Sequence, residues 1–123
     1  MKITLTGDDS IRLEPMAGQL TIEAESADQV YSPYQMLGSS LAVCAFGVLQ
    51  SWGSNVGISA DDLVIDVSWS FAEKPHRVGS IELSFRWPSL PPERRATAER
   101  VAALCPVHKT FTQSPSMTIQ VAA

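Results

Sequence analysis

Ile3 and Leu5, then Ile11 and Leu13, then Leu20, Ile22 and Ala24 alternate with polar residues, with "GDDS" and "PMAG" between them. A period of two marks strands with one buried face, so three short strands in a meander are expected. From Gln29 to Ala60 the chain then carries no Asp, Glu, Lys or Arg. Pro33 and the Gly53/Gly57 pair limit the helical part of this run to about residues 34 to 52. Beyond it, Leu63, Ile65, Val67, Trp69 and Phe71 alternate with polar positions, as do Ile81, Leu83, Phe85 and Trp87 across the turn "EKPH". This is the clearest hairpin in the chain, one face buried and one wet.

Pro91 and Pro92 open a second helix, because the missing N–H of proline would be unpaired in a first turn anyway. Ala98, Val101, Ala102 and Leu104 give that helix its apolar stripe. "CPVHKTFTQS" reads as a short third helix stopped by Pro115, and Met117, Ile119 and Val121 as a last strand. The order is β-β-β-α-β-β-α-α-β, an α+β class, in a single domain over residues 1–123.

The uncharged stretch is long enough to suggest a membrane span. Gln35, Ser39, Ser40, Gln50 and Ser51 interrupt it, however, and no Lys or Arg flanks it as an orientation signal. A helix buried on most sides inside a soluble protein is the expectation. One sheet covers only one side of such a helix. Gly38, Ser39, Ala42, Ala45 and Gly47 would let other backbones come close, so a homodimer that packs two of these helices together is expected.

Composition narrows the picture further. A chain of 123 residues with 45% apolar and 18% charged residues can bury a genuine core. Its net charge of −4 leaves no basic footprint, so nucleic acid is not an expected partner. The charge is uneven: residues 1–66 hold two basic and nine acidic side chains, and residues 74–109 hold seven basic and three acidic. Solvated surface charge is the plain reading. Pairing within the chain, or between two copies meeting with opposite fields, is the alternative. "MKITLTGDDS" goes acidic by Asp8 without a long apolar segment, so no signal peptide is expected. Two distant cysteines are no disulfide scaffold, and a cytoplasmic protein with reduced thiols follows.

Those cysteines are the candidate chemistry. Cys44 shares a helix face with Leu37, Ser40, Leu41, Val48 and Ser51, where a lone thiol is ordinarily a small hydrophobe. Cys105 precedes Pro106 at a helix start, where first-turn N–H groups and the helix dipole favour thiolate. Packing under that turn is its inert reading. Cys105 and His108 have a Cys-x-x-His spacing that would give half a zinc site, but no second close pair exists. No metal and no cofactor are expected. His76 reads as a solvated loop histidine, and His108 as a first-turn surface residue with some reach toward Cys105.

"SPYQMLGSSLAVC", "KPHRVGSIELSF" and "AERVAALCPVHKTF" together resemble the OsmC/Ohr family, from about Ser32 to Val121, and the N-terminal meander fits as well. The resemblance implies an intertwined homodimer with two central buried helices. It also implies a thiol-dependent peroxidase acting on organic hydroperoxides. On that reading Cys44 attacks the O–O bond and becomes a sulfenic acid, Cys105 condenses with it to a disulfide, and an external dithiol restores both. Family peroxidases carry a Glu ten residues before the first cysteine, where this chain has Tyr34. They also draw an activating arginine from the N-terminal strands, where Arg12 is the only candidate. A second reading keeps the dimer but makes it a non-catalytic binder of a small hydrophobic ligand.

Overall fold

The alternation at the N-terminus produces β1 (Lys2–Gly7) and β2 (Ser10–Glu14), an antiparallel hairpin whose inward residues Ile3, Leu5, Ile11 and Leu13 are almost entirely buried. The computed structural model describes residues 1–122. The third strand, β3 (Thr21–Ala24), forms but does not complete a meander. It runs parallel to β1, on the side away from β2, and all four of its residues are exposed. Beyond β2 lie β4 (Val64–Ala72) and β5 (Arg77–Arg86), so the five-stranded sheet has the order β3-β1-β2-β4-β5.

The uncharged stretch forms α1 (Pro33–Asn55), longer at both ends than its pattern suggested. Ser32 caps the start, its side chain accepting from the Gln35 N–H, and Pro33 takes the first position. Gln35, three residues after the cap, is buried and pairs with the Ser32 hydroxyl. Its Nε2 donates to the carbonyls of Gly7 and Asp8 at 3.2 and 2.6 Å. A single amide therefore ties the β1–β2 turn to the head of the helix. At the other end Gly57 takes a φ of +78°, and the Ile58 N–H closes onto the Gly53 carbonyl at 2.7 Å.

Leu41, Ala42, Ala45, Phe46 and Leu49 of α1 pack on Ile3, Leu5, Ile11, Leu13, Ile65 and Val67, which is the core. Helix and sheet approach closely at Gly38, where a Cβ would lie 2.6 Å from Trp69 Cζ3. A 3₁₀ turn (Pro92–Arg94) leads into α2 (Arg95–Ala102), and α3 (Pro106–Thr112) follows; both helices pack against α1.

Two expectations fail here. α1 is long and apolar enough to cross a membrane, yet 44% of its most apolar window is buried within the chain, against the sheet, α2 and α3. It is not buried on most sides, however: Met36, Ser40, Val43, Gly47 and Ser54 form an exposed, uncharged stripe at helical spacing. Among the described residues no last strand forms. Met117, Ile119 and Val121 lie in irregular chain and are 82%, 93% and 97% exposed, because no strand edge within the chain receives them.

The charge asymmetry also stays largely unresolved within the chain. Arg86–Asp66, at 3.8 Å, is the one ion pair among the described residues that joins the acidic first part to the basic segment.

Gly38→Ala forces its methyl into the Trp69 ring, and overpacking of this kind costs about 1–3 kcal/mol. Urea unfolding should show that loss. An unchanged midpoint would mean that helix and ring separate at no cost.

Candidate functional site

Cys44 lies in the middle of α1, one turn beyond Leu41, on the boundary between the buried face and the exposed stripe. It is half-buried and packs against the core. Cys105 is fully buried at the N-cap of α3, and Pro106 takes the first helical position. Because α3 packs on α1, the fold brings together two thiols that stand 61 positions apart in the sequence, counting from 44 to 105. Both are free.

Their electrostatics reverse one expectation. The backbone N–H groups of Val107 and His108 favour the Cys105 thiolate, although the sulfur makes no cap hydrogen bond to them. Burial acts the other way and is the largest influence, and a side-chain hydrogen bond and charge from Cys44 add to it. The net result holds the Cys105 thiol above its ordinary value. A helix of two turns supplies too little dipole to offset a fully desolvated sulfur.

A groove of about 680 Å³ opens between α1, β5, α2 and α3; neither cysteine lines it, but Leu41, one turn before Cys44, and His108, three residues after Cys105, do. Leu37 and Leu41 form one wall, Ile81, Leu83 and Phe85 the floor, and Phe111 a further apolar side. Sheet register explains the floor: Ile81, Leu83 and Phe85 pair with Trp69, Val67 and Ile65 and so share the core face. α1 covers their partners but not them, so they are only partly buried. Glu99 and His108 are the titratable groups that line the groove.

Arg12 is not brought to the thiols within the chain. It stands between Ile11 and Leu13, which face α1, so its side chain leaves the opposite face of the sheet. There its Nε donates to Asp66 Oδ1 at 2.8 Å, and Asp66 reinforces the guanidinium charge. Tyr34 also lies apart, at the first turn of α1, edge-on to Phe71 with centroids 4.8 Å apart. Phe71 in turn stacks on His76 at 4.9 Å, and that histidine, exposed in its loop as its position suggested, also pairs with Glu73. Sequence reasoning missed Gln35, although Ser32-x-x-Gln35 carries the pattern of a capping box. Among the described residues, no group of three or more His, Cys, Asp or Glu side chains comes together as metal ligands.

A helix laid over a mostly antiparallel sheet, with one thiol at mid-helix and a second at the start of a short helix packed on it, defines a two-cysteine α+β protein. The sequence pattern of the OsmC-like protein family matches residues 25–120, and the chain belongs to that family. Two solved structures share the fold. A Psychrobacter arcticus protein, named for osmotic-stress induction and a detoxification response, is 20% identical with a TM-score of 0.62, over 88% of this chain and 84% of that one. A Lactobacillus casei protein, named as a redox protein, is 20% identical with a TM-score of 0.58, over 74% of this chain and 67% of its own. No curated protein matches the chain.

If burial governs Cys105, its thiolate in a Cys44→Ser variant should still appear only at more alkaline pH than in the same protein unfolded in urea. Ultraviolet thiolate absorbance against pH measures both. Coincident titrations would show that the α3 N-terminus offsets burial after all.

Proposed function

We propose that the protein is a thiol-dependent peroxidase that reduces organic hydroperoxides to alcohols. The observation that carries this reading is the neighbouring pair of free thiols, one half-exposed and one buried, with an apolar groove lined by Leu41 and His108, each within one turn of a thiol. Cys44 is the thiol a substrate can reach. As thiolate it attacks the O–O bond, releases the alcohol and becomes a sulfenic acid. Cys105 then condenses with it, water leaves, and a disulfide forms. An external dithiol reopens that bond. The cycle needs no cofactor. Thiols that must be free between turnovers suit a reducing, cytoplasmic compartment.

A second reading keeps the groove but not the cycle, as a binding site for a small hydrophobic ligand. Two observations favour it: Tyr34 stands where family peroxidases have a Glu, and Arg12 is paired with Asp66 across the sheet from Cys44.

We also propose a homodimer. The uncharged stripe Met36-Ser40-Val43-Gly47 is suited to meeting its own copy, and the apolar tail at Met117, Ile119 and Val121 needs a strand edge outside its chain. The unpaired charges of opposite sign in the two halves add complementarity between copies.

Reduced protein treated with a modest excess of cumene hydroperoxide should lose both free thiols to a disulfide. Cys44→Ser should lose none, and Cys105→Ser should carry Cys44 on to sulfinic acid. Wild-type thiols that survive the treatment would leave the binding reading standing. Sedimentation should give twice the 13.3 kDa chain mass at micromolar concentration for wild type, and the chain mass for Val43→Glu. A monomeric wild type would remove the dimer.

A further inference from the structure

Cys105 presents the proposed cycle with a problem. It must act as a thiolate when it attacks the Cys44 sulfenic acid, yet burial and Cys44 both favour its protonated form. A base close to its sulfur would resolve this. His108 sits three residues on, in the first turn of α3, where a side chain leans back toward the N-cap position. Its backbone N–H favours the Cys105 thiolate, although neither that N–H nor the ring is hydrogen-bonded to the sulfur in the resting protein. Its ring Nδ1 is shut off from solvent and has no hydrogen-bond partner in the protein, a rare condition for a buried polar atom. His108 also lines the groove, as does Leu41, one turn before Cys44.

We propose that His108 is the general base of the disulfide-forming step. The proposal rests on the peroxidase reading of Cys44. A ring nitrogen of His108 takes the proton from Cys105 Sγ as that sulfur attacks the sulfenic sulfur of Cys44. The S–S bond forms and the S–O bond breaks. The departing hydroxide takes the proton from the imidazolium and leaves as water. Cys44–SOH and Cys105–SH thus become a disulfide and H₂O, with no outside oxidant. Glu99 of α2 lines the same groove as His108, and Cys105 of α3 precedes His108 by three residues, with Cys44 of α1 next to Cys105. Residues of β5 that line the groove carry no charge.

His108→Gln separates the two halves of the cycle. In a single turnover with cumene hydroperoxide, the variant's own rate of Cys44 sulfenic acid formation, trapped with dimedone, serves as the reference for its second step. Disulfide formation, followed by intact mass, should slow by about a hundredfold at neutral pH. Its rate-against-pH profile should move to more alkaline pH, because Cys105 must then ionise unaided. His108→Asn retains an amide donor near the Nδ1 position but no base, and should be slow as well. Disulfide formation at wild-type rate and profile in His108→Gln overturns the proposal. Restoration of the rate by His108→Asn does so too, since it would show a hydrogen-bonding role only.

A second arm needs no hydroperoxide. In Cys44→Ser, iodoacetamide alkylation of Cys105 at neutral pH should be slower with His108→Gln than without it, and equal rates overturn the proposal. Failure of wild type to form any sulfenic acid would overturn the peroxidase reading and the base role in that step together. The alkylation arm reads the proton transfer separately and so tells the two failures apart.

Discussion

The close packing of α1 on the sheet holds everything else in place. Gly38 lets the Trp69 ring lie against the helix backbone, and Gln35 bonds the helix head to the β1–β2 turn. With the helix fixed in position and rotation, Leu41, Ala45 and Leu49 enter the core and Cys44 is left at its edge. A rotation of one residue, about 100°, would either bury that thiol or leave it fully in solvent. The half-exposure of Cys44 is thus a consequence of packing against the sheet, not a property of its immediate sequence.

At Cys105 two effects compete, and their magnitudes decide the outcome. A helix N-terminus favours a nearby negative charge, and burial opposes it. At Cys105 burial is the larger influence, and the thiol lies above its ordinary value. That balance suits the resolving role proposed for Cys105, in which the thiol stays unreactive until a sulfenic acid forms at Cys44. It is also the reason the unpaired imidazole nitrogen of His108 is proposed as a base.

Much of this was legible in the residues. Alternation located four of the strands and the hairpin β4–β5 because each has one dry face. The charge-free run located α1, and Cys-Pro located the start of α3. Local patterns cannot specify partners, and the remaining differences follow from that. β3 alternates like its neighbours, but nothing in "TIEA" says that it runs parallel to β1 rather than beside β2. Met117, Ile119 and Val121 read as a strand, yet a strand exists only where an edge accepts it. For Arg12, alternation with Ile11 and Leu13 already placed it on the outer face, and Asp66 opposite it in β4 supplied the partner.

The central claim is that the fold places Cys44 and Cys105 where one chain can join them. Peptide mapping without reductant, after one equivalent of diamide, tests this without assuming any substrate. A cross-linked peptide pair containing Cys44 and Cys105 from the same chain, with no link between chains, is the result this account requires. Disulfides between copies, or two thiols that stay apart while the protein remains folded, would contradict it.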